Sequence, residues 1–145
     1  MIPETVTAHT FAPISAEAST CRLLDNWDKG LQLLAAKGFA QVSIRVLAAC
    51  MGVSPGALYH HYPSKQHLLF GIVEEFYEEL LAALKRVDPR TKEPVSAVIL
   101  AHLDVYEDHR WHCCIAVCDC NCLTPDQLCD LARLKGRYQQ RLGTF

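Results

Sequence analysis

Apolar residues recur at helical spacing along most of the chain, and the breaks between the runs are chemically marked. From about Ala18 to Lys37, Leu24, Trp27, Leu31 and Leu34 fall on one stripe. Gly30, inside that run, costs about 1 kcal/mol relative to Ala and is expected to mark a close helix crossing. Gly38 ends the helix. Ser43 is a good N-cap for a short run through Ile44, Leu47 and Ala48. Gly52 stops it where a left-handed residue is easiest to accommodate. Ser54 caps again with Pro55 at the first helical position, which predicts a helix over about Pro55 to His61.

The later elements follow the same logic. Ser64 caps a long helix from Lys65 to about Val87, with Leu68, Leu69, Ile72, Val73, Phe76, Leu80, Leu81 and Leu84 as a wide apolar face. Glu74, Glu75, Glu78 and Glu79 are read as its solvated side. Asp88, Pro89 and Pro94 break it, leaving DPRTKE as an exposed connector. A helix from about Pro94 to Asp108 is expected to bury Val95, Val98, Ile99, His102, Leu103 and Tyr106. RWHCCIAVCDCNCL predicts a short helix from about Arg110 to Leu123. Thr124, Pro125 and Gln127 then form a capping box that opens a last helix carrying Leu128, Leu131, Leu134, Tyr138 and Leu142. The reading is therefore all-α.

A helix as short as Pro55–His61 is not stable alone. It must be held from behind, and it presents small or polar groups outward: Ala57, Tyr59, His60 and His61. Helix, glycine-containing turn and short presented helix is the helix-turn-helix plan. The gap-free run Gly38-Phe39, Ser43, Leu47-Ala48, Gly52-Val53-Ser54, Gly56, Leu58-Tyr59, His61-Tyr62, Ser64-Lys65, Leu68-Leu69 resembles the DNA-binding segment of TetR-type transcriptional repressors. The resemblance implies a three-helix DNA-binding head over 19–64, followed by a partial helical body for ligand binding and dimerisation over 65–145. It makes Trp27 and Phe39 core residues of the head. It implies that Ser43, Tyr59, His61 and Lys65 donate to phosphates, which positions a protein without reading sequence. It places Arg45, Pro55, Ala57 and His60 at base edges: Arg45 on a guanine through its fork, Pro55 and Ala57 on thymine methyls, His60 on base or phosphate. Ser54 and Gly56 complete the DNA-binding set.

The net charge of −2 runs against a DNA binder until it is divided. Residues 19–65 hold Arg22, Lys29, Lys37, Arg45 and Lys65 against Asp25 and Asp28, so a positive module sits on an acidic body. Residues 1–18 mix Pro, Thr, Ala and Ser without period and read as a mobile arm. They lack the basic-then-apolar order of a secretory signal, and no run of about 18 apolar residues predicts a membrane span. A cytoplasmic protein is expected. No nucleophile with a base, phosphate loop or paired acids has convincing spacing, so an enzyme is not expected, and no cofactor is implied.

By resemblance, the body would hold a small-molecule effector, with His102, Tyr106, Trp111 and His112 as candidate contacts, and an effector would release a dimer from a palindromic operator. Eight cysteines are the odd feature, six of them between Cys113 and Cys129. Cys114, Cys118 and Cys122 lie on one helical stripe, which gives an alternative: a metal- or thiol-redox-sensing regulator. The paired CxxC spacing of zinc sites is absent, and buried cysteines act as small hydrophobes in the bland reading. The chain stops at RYQQRLGTF, within an amphipathic helix, where resembled proteins continue with two long dimer-forming helices. The body is thus read as incomplete and the homodimer as a property of the full-length form.

Overall fold

The computed structural model describes residues 17–145, with side chains from Arg22 onward; the expected arm lies outside the described residues save for its last two positions. Seven α-helices follow in order: α1 (Glu17–Lys37), α2 (Ile44–Cys50), α3 (Pro55–His61), α4 (Lys65–Arg86), α5 (Pro94–Asp108), α6 (Arg110–Cys118) and α7 (Pro125–Leu142). Single 3-10 turns at Phe39–Gln41 and Cys120–Cys122 join α1 to α2 and α6 to α7. No strand occurs among the described residues. The all-α expectation holds, and each predicted helix is present.

The long apolar face of α4 makes it the central element. Leu68, Leu69, Ile72, Val73 and Leu84 are fully buried, and α5, α6 and α7 all pack on this helix. Each fully buried aliphatic side chain contributes about 1.5–3 kcal/mol of transfer free energy. The body reaches the head through α6, which also packs on α1, while α1 holds α2 and α2 holds α3. At the α1–α2 crossing a Cβ on Gly30 would stand 2.7 Å from Met51 Sδ. Gly30 thus lets the two helices approach, with fully buried Met51 filling the gap.

The predicted caps are all built. Ser43, Ser54 and Ser64 accept from Val46, Ala57 and His67 N–H, and Thr124 with Gln127 closes a reciprocal capping box. The C-terminus of α4 is satisfied from a distance: the Arg141 guanidinium donates to the carbonyls of Leu84 and Val87. A cation there also meets the negative end of the helix dipole.

Several expectations are corrected. On α1 the buried stripe runs Leu23, Leu31 and Leu34, with Trp27 beside it; Leu24 is exposed. The adjacent leucines made the phase ambiguous by one residue. On α5 the inner face is Val98, Ala101 and Val105, with His102 half-buried, whereas Val95, Ile99, Leu103 and Tyr106 are exposed. That helix is apolar nearly all round, so its period does not choose a side. Glu75 and Glu78 are not merely solvated: Glu75 accepts from His112 and Glu78 pairs with Arg137. The α6 helix closes at Cys118, not Leu123, because Asp119 leaves the helical conformation (φ −116°, ψ 0°) and its side chain turns to the Phe39 N–H. On α7, Leu128 and Leu142 are exposed. α7 closes at Leu142, with Gly143 and Thr144 N–H donating to the carbonyls of Gln139 and Arg141.

Candidate nucleic-acid interface

The turn between α2 and α3 fixes the geometry of the presented face. Gly52 takes φ +67°. Its N–H donates to Ala49 O at 3.2 Å, and Val53 N–H reaches back to Ala48 O at 3.0 Å. This paired closure is a Schellman motif, which needs a left-handed residue after the helix. The short α3 is then held from behind by Leu58, fully buried, and by Tyr62, whose ring stacks on Trp27 with centroids 5.9 Å apart. Burial pushes the Tyr62 hydroxyl up to about 12, with the negative charge of Glu75 adding to it.

With its back anchored, α3 turns its other side outward. Tyr59 and His60 are exposed, and Pro55, Ala57 and His61 are half-buried. A concavity of about 690 Å³ lies between the start of α2 and the start of α3, lined by Ser43, Ile44, Arg45, Pro55, Tyr59 and Lys65 together with the 40–42 corner. Five of the ten residues expected to meet DNA thus share one hollow. Ser54, Gly56, Ala57, His60 and His61 lie outside its lining and continue along α3. Ser43 and Ser54 accept backbone N–H bonds as caps, yet a hydroxyl that accepts keeps its own proton to donate. The His60 and His61 rings meet edge to face at 5.4 Å. Burial, and then the neighbouring His60 charge, lowers the His61 pKa, which favours the uncharged ring, a form that still carries one N–H donor.

Lys65 has a role that spacing alone did not disclose. Its ammonium donates to the Phe39 carbonyl at 2.6 Å and sits 4.3 Å above the Phe39 ring. An ammonium has three N–H donors, so this bond leaves two directed elsewhere. Gln41, exposed at the rim of the same hollow, was missed. It lies in the 3-10 turn, where no periodic signal marks it.

The candidate effector contacts do not gather in one place. His102 is engaged at both nitrogens, by Val98 O and the Tyr138 hydroxyl. Tyr106 lies with it against the Phe76 ring at 5.9 Å. Trp111 is half-buried under the Arg110 guanidinium. His112 instead faces Glu75 on α4. The cysteine stripe is also dispersed: Cys114 lies within α6, Cys118 ends it, and Cys122 sits in the following 3-10 turn. Among the described residues, Cys114, Cys118 and Cys122 do not form a converged three-ligand group. Burial, and next the adjacent Cys118 sulfur, raises the pKa of both Cys113 and Cys114, which lowers their thiolate fraction and reactivity. No described helix is long and apolar enough to cross a membrane.

Comparison with known proteins bears on this head directly. Residues 28–72 match the family described as bacterial regulatory proteins, tetR family. The nucleoid occlusion factor SlmA of Vibrio vulnificus (strain YJ016) is 32% identical over 68 residues, 47% of this chain and 35% of that protein. The HTH-type transcriptional regulator YerO of Bacillus subtilis (strain 168) is 31% identical over 85 residues, 55% of this chain and 29% of that one. The crystal structure of the TetR-family transcriptional regulator PfmR from Thermus thermophilus superposes with a TM-score of 0.71 at 28% identity, covering 79% of this chain and 64% of that one. The chain spans about a third of the length of these curated relatives. Residues 28–72 thus carry the helix-turn-helix segment of the tetR family of bacterial regulatory proteins, and the helical fold is similar to that of a solved TetR-family regulator.

Proposed function

We propose that the chain is a transcriptional repressor whose head binds operator DNA in the major groove. The observation that carries this reading is the shared hollow of Ser43, Arg45, Pro55, Tyr59 and Lys65 beside the presented helix. Ser43, Tyr59, His61 and Lys65 donate to phosphates. Arg45 reads a guanine, Pro55 and Ala57 touch thymine methyls, and His60 lies between the two roles. Ser54 sets the start of α3, and Gly56 leaves its backbone open to close approach. Two heads carried by a dimer meet two half-sites of a palindromic operator about one helical turn apart. A small-molecule effector in the body shifts α4, whose first residue is Lys65, and moves the heads out of register. The cytoplasm is the compartment that this activity requires. The sulfur-sensing alternative is the weaker reading: the three stripe thiols do not converge, and burial pushes two thiols of the cysteine run up, Cys114 of the stripe among them.

Selection of bound sequences from random duplex DNA, with the native chain and with Arg45→Ala, tests the reading. The native chain should enrich one palindromic motif. Arg45→Ala should relax one base position in each half-site, a discrimination loss of about 1–3 kcal/mol. Enrichment of no motif by the native chain would overturn the proposal. Uniform weakening across all sequences would make Arg45 a phosphate contact.

A further inference from the structure

Away from the DNA face, three ligand-type side chains converge where the α5–α6 corner meets α4. His109 is the single residue between α5 and α6, and His112 follows at i+3, the spacing that puts two rings on one face. Their rings stand 5.2 Å apart between centroids. His112 is buried, 7% exposed, and its Nε2 lies 3.1 Å from Glu75 Oε2 of α4. One ligand atom from each of Glu75, His109 and His112 lies within 4.8 Å of the other two; no other such group of His, Cys, Asp or Glu side chains occurs among the described residues. A second observation points the same way. His109 Nδ1 is buried with no hydrogen-bond partner, and it is the one such side-chain nitrogen or oxygen among the described residues. Native folds rarely leave a buried polar atom unsatisfied, and an imidazole lone pair can be satisfied by a Lewis acid as well as by a proton donor.

We propose that Glu75, His109 and His112 form a binding site for a divalent first-row transition cation, zinc fitting best. Two imidazoles and one carboxylate are the donor set of three-ligand zinc sites that keep an open position. Calcium and magnesium want six or more oxygens, which this set does not offer. Ligand atoms of a tetrahedral zinc site stand about 3.3 Å apart. The His112–Glu75 pair is already at that spacing, and His109 has to close by at most about 1.5 Å. The Glu75 side chain is 44% exposed, which gives the ion an entry path and a place for its fourth ligand. Bound there, the ion ties the α5–α6 corner to the middle of α4. The site stands whether or not the head binds DNA.

The experiment adds Co²⁺ and, separately, Zn²⁺ to the reduced, metal-free full chain, reading cobalt absorption and thermal unfolding. One cobalt per chain should bind with visible bands, without the intense near-ultraviolet band of sulfur-to-cobalt charge transfer. A Cys114→Ser/Cys118→Ser/Cys122→Ser variant should bind equally well. Glu75→Gln and His109→Ala should each lose at least about tenfold in affinity, since even outer-shell losses cost 10–100-fold. Zinc should raise the unfolding temperature of the native chain more than that of either variant, with the metal-free circular dichroism of all three alike. Affinity unchanged in either variant, binding that vanishes with the cysteines, or no binding by the native chain would each overturn the site.

Discussion

Replacing Lys65 with alanine separates two roles of one ammonium. In the free protein the group bridges the head, with Nζ donating to Phe39 O at 2.6 Å and lying 4.3 Å over its ring. A hydrogen bond from a charged donor contributes about 1.5–3 kcal/mol, and a partly exposed cation–π contact about 0.5–1 kcal/mol. Lys65 is half-buried, so water recovers part of the first figure, and the expected loss in unfolding free energy is about 1–2 kcal/mol. The DNA role has a different signature. Each phosphate neutralised contributes about 0.9 to the slope of log affinity against log salt. One lost contact therefore changes the salt response by about 3.5-fold between about 50 and 200 mM, and two, one in each head of a dimer, by about 12-fold. Urea denaturation reads the first effect, and fluorescence anisotropy with duplex DNA at several salt concentrations reads the second. Lys65→Met serves as the companion variant, because it keeps much of the stem against Phe39 and removes the charge. If Lys65→Ala loses stability but keeps the native salt slope, the ammonium stays on Phe39 in the complex and the phosphate assignment is refuted. If stability is unchanged, the Phe39 bridge contributes nothing net and the structural half of the reasoning fails.

Gly52→Ala should cost about 1–2 kcal/mol in urea unfolding, purely from the left-handed backbone, because nothing lies within 4 Å of the added Cβ. Gly38→Ala, at φ 84° and ψ 142°, should cost at least as much, about 1–3 kcal/mol; a neutral result at either site would contradict the turn geometry. Leu69→Ala should destabilise by about 2–5 kcal/mol, whereas Leu103→Ala, 55% exposed on α5, should stay within about 0.5 kcal/mol. Equal losses would mean that α5 is rotated from the orientation described. Tyr62 retains its proton in the folded chain to about 12, while an unfolded tyrosine releases it near about 10. The folded state then holds more protons in that interval. Stability is thus fully present below about pH 10 and falls as pH rises toward 12. Tyr62→Phe should flatten that alkaline decline, as followed by denaturation at several pH values.

What the sequence disclosed was what neighbours along the chain encode. The caps at Ser43, Ser54, Ser64 and Thr124 act within three residues of themselves, so their residue types predicted the helix starts. The apolar face of α4 was equally legible because it is wide and its opposite side is acidic. Two kinds of information were missing. One is phase: in α5, where apolar residues surround the helix, burial is decided by which side α4 happens to cover, and Val98, Ala101 and Val105 won over Val95, Ile99 and Leu103. The other is contact across distance. Lys65 meets Phe39 over 26 residues and His112 meets Glu75 over 37. His112 was thus visible as a polar-tipped residue in the body, but not as a partner of His109 and an α4 carboxylate. The cysteine run drew attention by composition, yet composition does not say where sulfurs point.

Besides the α6–α1 packing, head and body are joined at the Phe39 corner, and this link bears on how an effector signal would travel. The backbone of Phe39 is held on both sides of its Cα: its N–H donates to Asp119 Oδ1 at 3.4 Å, and its carbonyl accepts from Lys65. Asp119 directly follows α6, and Lys65 begins α4. Phe39 itself stands in the corner just before α2, 3% exposed. A displacement of α6 relative to α4 therefore pulls on one residue whose two backbone bonds lead to different body helices. Such a link transmits only the free energy that differs between two states. The long Asp119 bond is the weaker of the pair and the first to break, at about 1 kcal/mol, while the charge-assisted Lys65 bond persists. That difference is of the size of ordinary allosteric coupling, about 1–3 kcal/mol. It acts next to Ser43 and Arg45, so a body rearrangement too small to swing whole heads apart still reaches the side chains proposed to meet DNA.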